Sequence, residues 1–312
     1  MELGLVIPHL EKYYQKGDFY KIIDSLQKAQ VCEIEPHGSF LLGKRPQTLA
    51  RLNQDLSERN IIISSVHAPF DEGKDIASPN FFVRKRTINE HIEVMRRMII
   101  TKTEVLTIHP GARPKPLKEE EIPIREKIFR KSLETLLKNA EKLKIKLAVE
   151  NMLPGRPFDK IDAIKKILNE FHSPFLGVCF DTGHANVTEG IPEIFGTIKD
   201  FIFDFHIHDN DGTKDMHLQP PYGNIDWAEF FTLAENINYK RPLMVESMPW
   251  QGREVEWMFK EIRMLKDKKI LINPHTKDFG VGARPHYLKC LKCNHFIYQT
   301  ASSPICYCNF PA

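Results

Sequence analysis

Residues 146–186 read KLAVENMLPGRPFDKIDAIKKILNEFHSPFLGVCFDTGHAN and contain a predicted strand, a helix and a second strand. The two apolar runs, Lys146–Glu150 and Leu176–Asp181, have the length of buried strands, and each ends in a carboxylate. The segment between them has apolar residues at helical spacing, and we expect Asp159 to cap the start of this helix. A strand–helix–strand unit of this kind is the building block of a parallel α/β sheet.

The same alternation continues in both directions along the chain. Helical patterns are clearest at Phe82–Met98, Glu119–Leu143 and Val255–Leu265, and Asp226 with Glu229 predicts a further capped helix start. The predicted strands are Leu3–Ile7, Val31–Glu35, Ile61–His67, Val105–His109, Lys146–Glu150, Leu176–Asp181, Phe201–His208 and Leu243–Glu246. Eight strands, each followed by a helix or a connection of helical length, predict a (β/α)8 TIM barrel. A doubly wound sheet is the alternative, but no Gly-x-Gly-x-x-Gly sequence follows an early strand.

Charge and cysteine content separate the chain into two parts near Lys269. The 44 Lys and Arg and 41 Asp and Glu residues give a net charge of +3. Residues 269–312 hold five of the basic residues and one acidic residue, so this tail carries +4 and the remainder sums to −1. We expect a barrel over residues 1–268 and a small C-terminal appendage over residues 269–312.

The tail contains a cysteine pattern that is typical of a zinc site. Two pairs, Cys-x-x-Cys and Cys-x-Cys, are separated by twelve residues, which suits tetrahedral coordination of one zinc ion. The predicted ligands are Cys290, Cys293, Cys306 and Cys308. The chain start has no export signal, which makes disulfides the weaker explanation. Cys32 and Cys179 stand alone in apolar runs and are predicted to be core thiols.

The overall composition excludes some classes of protein. With 42% hydrophobic and 27% charged residues, it is typical of a globular protein in water. No stretch reaches about 18 uncharged apolar residues, so no membrane span or membrane partner is expected. Without a signal-peptide pattern, a cytoplasmic location is expected. A net charge of +3 leaves both small molecules and DNA open as substrates.

Side chains that bind metals stand where the predicted strands end. In a β/α barrel the C-terminal ends of all strands meet at one rim, so residues distant in sequence would share one pocket. The set comprises His67, His109, Glu150, Asp181, His184, His206, His208, Asp215, His217 and Glu246. Carboxylates gathered at one pocket repel each other unless cations balance them. Imidazole and carboxylate together favour zinc, manganese or iron over calcium.

These segments resemble the xylose-isomerase-like barrel superfamily, which contains endonuclease IV and many sugar isomerases and epimerases. The isomerases and epimerases hold one divalent metal with a Glu, Asp, His, Glu set, which Glu150, Asp181, His206 and Glu246 match. In those enzymes the two glutamates also act as the acid and base that move a proton beside a carbonyl. This resemblance implies a sugar or sugar-phosphate isomerase or epimerase that uses manganese or another divalent metal.

The endonuclease IV pattern adds further histidines and an Asp-x-His pair. The chain matches all nine of its ligand positions, at His67, His109, Glu150, Asp181, His184, His206, Asp215, His217 and Glu246. This resemblance implies three zinc ions, two of them bridged by Glu150, and a metal-bound hydroxide that attacks phosphorus. Because the ligand count is met, the preferred prediction is a phosphodiesterase that cleaves DNA at abasic sites, with the sugar isomerase or epimerase as the alternative.

His206 is preferred as the metal ligand on the seventh strand because it begins a family motif, His-x-x-Asp. His208 joins Glu150 and Glu246 among the predicted catalytic residues, either supporting a ligand or facing the substrate.

Two departures from the endonuclease pattern weigh against the nuclease. Asp71 follows Phe70, where DNA-binding members carry an apolar wedge, and a carboxylate repels DNA phosphates. Residues 219–223 replace the family's Gly-Glu-Gly. A third hypothesis is an inactive barrel whose tail recruits a partner.

Overall fold

Among the described residues, nine parallel strands form one sheet that curves round until its two edges meet. A computed structural model describes residues 1–7, 19–71, 73–111, 116–247 and 254–267, together with the backbone of three short strands near the C-terminus. The barrel strands are β1 (Leu3–Ile7), β2 (Glu33–Pro36), β3 (Ile62–Ile63), β4 (Ser65–His67), β5 (Val105–Ile108), β6 (Lys146–Glu150), β7 (Leu176–Asp181), β8 (Ile202–Ile207) and β9 (Leu243–Val245).

Helices connect consecutive strands, as expected for parallel neighbours. They are α1 (Phe19–Lys28), α2 (Gly38–Leu42), α3 (Pro46–Glu58), α4 (Phe81–Thr101), α5 (Ile122–Leu143), α6 (Ile161–Phe171), α7 (Thr182–Val187), α8 (Ile191–Ile198), α9 (Trp227–Asn236) and α10 (Val255–Lys266). Single 3-10 turns precede α5 at Glu119–Glu121 and β8 at Lys199–Phe201.

The strand order closes the sheet into an eight-stranded barrel. The order is β3-β2-β1-β9-β8-β7-β6-β5-β4, and every described pairing is parallel. Only Ser64 separates β3 from β4, so these two segments continue one strand. A parallel bridge between His37 and His67 also links the ends of β2 and β4. The predicted (β/α)8 fold is therefore confirmed, and each of the eight predicted strands is present.

The hydrophobic core fills the layer between the barrel and its helices. Strands β6 and β7 are buried over nearly their whole length, which explains their continuous apolar sequence. Helix α6 buries only the face that carries Ile161, Ile164, Ile167 and Leu168. A buried aromatic cluster joins β7, α8, β8 and α9 through Phe180, Phe195, Phe205 and Phe230.

Two local predictions are wrong and two are confirmed. Lys160, not Asp159, precedes the first turn of α6, because the Asp159 carboxylate accepts a 2.8 Å hydrogen bond from the Gly155 amide in the preceding turn. Cys32 is exposed because it lies in the connection before β2. Cys179 is a buried thiol, and the carboxylate of Asp226 caps α9 at the Glu229 amide, 3.0 Å away.

The C-terminal tail is described only through the backbone of three short antiparallel strands. These are β10 (Leu288–Lys289), β11 (Phe296–Gln299) and β12 (Pro304–Ile305). The four tail cysteines, Cys290, Cys293, Cys306 and Cys308, lie outside the described residues, so the zinc-ribbon appendage and the boundary near Lys269 stay predictions. None of the helices described has the length and apolar composition needed to cross a bilayer.

The barrel interior contains an irregularity between β7 and β8 that depends on a glycine. The register shifts there, so that Val178 faces Ile202 whereas Cys179 faces Asp204. The extra residue is Phe203, and its ring occupies the space above Gly177. A Cβ atom on Gly177 would lie 2.5 Å from the Phe201 carbonyl oxygen and 2.6 Å from the Phe203 ring.

We expect Gly177→Ala to lower the free energy of unfolding by about 1–3 kcal/mol, because the added methyl group meets backbone as well as a ring. Gly196→Ala on α8 is the matched control, since nothing lies within 4 Å of the position that its Cβ atom would take and α-helix favours alanine. Urea unfolding of both variants checks this prediction. Equal stability of the two variants would contradict it.

Candidate metal centre and active site

The polar residues predicted at the strand ends lie together at the C-terminal rim of the barrel. Strands β4, β6, β7 and β8 carry His67, Glu150, Asp181 and His206. His109 and Glu246 directly follow β5 and β9, and His184 lies on α7. The connection after β8 supplies His208, Asp215 and His217. Each of these side chains contacts at least one other member of the set.

Glu150 is at the centre of the cluster. Its Oε2 atom lies 3.0 Å from His109 Nε2, 3.4 Å from His67 Nε2 and 3.7 Å from His206 Nδ1. Its Oε1 atom lies 3.2 Å from His184 Nδ1. Four imidazoles from four different segments therefore surround one buried carboxylate.

A second group of ligands extends from Asp181 toward the loop after β8. His208 Nε2 lies 3.0 Å from Asp181 Oδ1. The carboxylate of Asp215 lies 3.6 Å from His184 Nε2 and 3.1 Å from His217 Nε2. His208 is fully buried and its ring stacks on His217, so it supports Asp181 from behind. This position agrees with the supporting role among the two proposed for His208.

Glu246 joins the two groups at the open side of the pocket. Its Oε2 atom lies 3.1 Å from His206 Nδ1, and its backbone oxygen is 2.9 Å from His217 Nδ1. The Glu246 side chain is 19% exposed, whereas the Glu150 side chain is 2% exposed. Glu246 is therefore the more accessible of the two glutamates.

Charge in this cluster is balanced between carboxylates and imidazoles. Burial would raise the pKa of Glu150, but His109, His184 and His206 hold it well below its usual range. Burial would lower the pKa of His184, yet Asp181, Asp215 and Glu150 raise it well above its usual value. Burial likewise opposes protonation of His217, but Asp215 and Glu246 raise its pKa to about 10. The carboxylates thus carry negative charge that protons or metal ions must neutralise.

The arrangement fits bound divalent cations. Glu150 Oε2, His206 Nδ1, His208 Nδ1 and Asp215 Oδ1 are buried without a hydrogen-bond partner among the described residues. Cations would satisfy such atoms, whereas hydrogen bonds alone leave them unpaired. Four groups of ligand atoms lie within 4.8 Å of one another: His67, Glu150 and His206; Asp181, His184 and His208; His208, His217 and Glu246; and Glu150, Asp181, His206 and Glu246. These buried groups could hold a metal, but they do not identify zinc.

Glu35 supports the centre and is absent from the sequence-based set. It is fully buried on β2, and its Oε1 atom lies 3.0 Å from His206 Nε2. Its Oε2 atom accepts a hydrogen bond from Ser65. This contact turns His206 Nδ1 toward Glu150 and Glu246. The signal that could have found Glu35 is its position at the end of an apolar strand, the pattern shared by Glu150.

Asn151 fixes the neighbouring ligand strand. Its side-chain amide donates to the Asp181 carbonyl at 3.0 Å, and its side-chain oxygen accepts from the Asp181 amide at 2.8 Å. This reciprocal pair ties the end of β6 to the end of β7.

The two segments that depart from the endonuclease pattern are ordered by contacts of their own. Phe70 is 41% exposed and its ring centroid lies 4.0 Å from that of His109, while the Asp71 carboxylate bonds to the Gly73 amide. In the loop after β8, Leu218 forms a two-way backbone bridge with Asp209.

The sequence matches a known protein family over most of its length. A family described as the xylose isomerase-like TIM barrel matches residues 27–268. The chain therefore belongs to the xylose isomerase-like TIM barrel family.

Individual relatives are more distant. An uncharacterized protein of Methanocaldococcus jannaschii is 30% identical over 198 residues, covering 62% of this chain and 67% of that protein. A solved D-tagatose 3-epimerase-like protein is 25% identical, with a TM-score of 0.66, over 77% of this chain and 89% of its own. A D-psicose 3-epimerase solved in the presence of D-fructose is 15% identical, with a TM-score of 0.70, over 86% and 98% of the two chains, and shares the fold.

The two solved structures favour the sugar isomerase or epimerase alternative over the preferred endonuclease prediction. DNA as a substrate has no support from the relatives reported above.

We expect Glu35→Gln to weaken Mn²⁺ binding about 10- to 100-fold, because loss of the carboxylate frees His206 and lowers its basicity. Glu33→Gln is the matched control, since Glu33 lies on the same strand and has no contact with His206. Titration of free Mn²⁺ by electron paramagnetic resonance measures both affinities. An unchanged affinity in Glu35→Gln, or equal losses in both variants, would count against this role.

We expect Mn²⁺ binding to tighten as the pH rises from 6 to 8. The raised pKa values of His184 and His206 keep both imidazoles protonated near neutrality, so a metal ion must displace protons. Linkage then gives up to about a tenfold gain in affinity per pH unit for each proton displaced. Titrations at pH 6, 7 and 8 and constant ionic strength test this, and a pH-independent affinity would show that no proton is displaced.

Proposed function

We propose that this chain is a divalent-metal-dependent sugar isomerase or epimerase that moves a proton beside a carbonyl group. The observation that carries the proposal is the group Glu150, Asp181, His206 and Glu246, whose ligand atoms lie within 4.8 Å of one another. These residue types on these strands match the set implied by the resemblance to sugar isomerases and epimerases. The solved neighbours named for D-tagatose and D-psicose support a ketose as substrate.

In this proposal Glu246 removes the proton from the substrate carbon. It is the glutamate that reaches the open side of the pocket. Burial would raise the pKa of Glu246, but His206 and His217 hold it below its usual range, so the carboxylate is ionised and can accept a proton. When bound, a divalent cation would polarise the substrate carbonyl and stabilise the negative charge that develops on its oxygen.

Glu150 is the second acid–base group of the proposed reaction. As the C–H bond breaks, its electron pair moves toward the carbonyl, which leaves an enediolate. A proton returned to the same carbon from the opposite face yields the epimer, whereas a proton returned to the neighbouring carbon yields the isomer. His67, His109 and His206 surround Glu150 and keep its carboxylate in place.

We expect Glu246→Gln to reduce exchange of the substrate C–H proton with solvent by about 10²- to 10⁴-fold, because the amide cannot accept the proton. The assay incubates a ketohexose panel with the Mn²⁺-loaded chain in D₂O and follows deuterium incorporation by NMR. Metal occupancy is measured in parallel, because Glu246 is also a proposed ligand.

Glu235→Gln, an exposed glutamate on α9, is the control and should exchange at the wild-type rate. Wild-type exchange in Glu246→Gln at full metal occupancy would exclude Glu246 as the base.

A metal-dependent phosphodiesterase is the second candidate function, favoured by one observation. Three ligand groups lie beside the four-residue set, enough donors for more than one cation. Phosphodiester hydrolysis uses several metals to stabilise the attacking and leaving oxygens.

Metal analysis of the barrel and incision of a duplex with one abasic site distinguish the two candidates. About three ions together with incision would favour the phosphodiesterase. One ion, no incision and ketose exchange would favour the isomerase or epimerase.

A further inference from the structure

A second pocket opens at the end of the barrel opposite the metal cluster. It encloses about 600 Å³ where β6 and β8 begin and where the chain passes from α9 into β9. Lys146 lines this pocket and begins β6, whereas Glu150 ends the same strand. At about 3.3 Å per residue, the two sites are about 13 Å apart along β6. The pocket is therefore separate from the proposed active site and takes no part in the proposed reaction.

Positive charge is concentrated in this pocket. Lys146, Lys199, Lys240 and Arg241 line it, against Asp200 as the single acidic residue of the lining. The barrel as a whole, residues 1–268, sums to −1, so a lining charge of +3 is a local excess. No carboxylate in the described part of the chain lies within ion-pair distance of the three lysines. These cations are thus available to an anionic ligand.

Two of the cations are held in place by the pocket walls. Lys146 Nζ lies 5.5 Å from the centroid of the Phe203 ring. Arg241 donates a 2.9 Å hydrogen bond to the Ser64 carbonyl and lies 3.9 Å from Asp204 Oδ2. The Arg241 Nε atom is buried without a hydrogen-bond partner among the described residues. Cations that are already positioned bind an anion with less loss of side-chain entropy.

The remaining lining is partly apolar, which sets the kind of anion. Ile202, Phe203 and Ile237 contribute apolar surface, and Tyr239 donates its hydroxyl proton to the Phe203 carbonyl at 3.3 Å. The volume is in the range of small-molecule sites. Arg and Lys are the side chains that bind phosphate. We propose that this pocket binds a small phosphate-bearing molecule, either free phosphate or the phosphate group of an organic phosphate.

Calorimetric titration of the Mn²⁺-loaded full chain with inorganic phosphate and with adenosine 5′-monophosphate tests the proposal. The double variant Lys199→Gln/Lys240→Gln removes two exposed pocket cations that make no described side-chain contact within the fold. Lys165→Gln/Lys166→Gln on α6 is the matched control, with the same charge change on an exposed helix face. Phosphate held at the metal centre would persist in both double variants, so the comparison locates the site.

We expect at least one probe to bind, with affinity reduced tenfold or more in the pocket variant and unchanged in the control. Tighter binding of adenosine 5′-monophosphate would identify an organic phosphate, and tighter binding of inorganic phosphate would identify the free ion. Ketose exchange by the pocket variant should equal that of the wild type without phosphate, which separates this proposal from the proposed function. The proposal is overturned if neither probe binds, if the pocket variant binds normally, or if both variants lose affinity equally.

Discussion

Four carboxylates, on Glu150, Asp181, Asp215 and Glu246, are held close together at one rim of the barrel, and their mutual repulsion is the constraint on which the site depends. Parallel strands impose this arrangement, because the residues that end β6, β7 and β9 must meet at the same edge. Burial strengthens the repulsion by removing water. The surrounding imidazoles offset it while they are protonated, and divalent cations would offset it more strongly.

A supporting layer holds the ligands against this repulsion. Glu35 orients His206 from within the barrel, and Asn151 ties Asp181 to the neighbouring strand. Gly183 leaves room for the His208 ring, since a Cβ atom there would lie 1.9 Å from His208 Cε1. Such contacts fix the direction of each ligand atom, which determines the number of cations the cluster can hold.

Much of the fold could be predicted from sequence because each strand is a short apolar run that ends in a polar residue. Strands β6 and β7 match the predicted bounds, since burial on both faces leaves a continuous apolar signal. The bulge at Phe203, the exposure of Cys32 and the role of Asp159 depend on local contacts that periodicity does not encode. Glu35 was missed for the same reason, because its role follows from side-chain direction across the barrel.

The chemistry was harder to predict than the ligands, because two kinds of enzyme share most of the set. The most direct test of a metal centre on Glu150, Asp181, His206 and Glu246 is anomalous diffraction from crystals grown with Mn²⁺. We predict a peak about 2.0–2.2 Å from one ligand atom of each of these four residues. A saturated crystal without a peak there, or with manganese bound only elsewhere, would contradict this assignment.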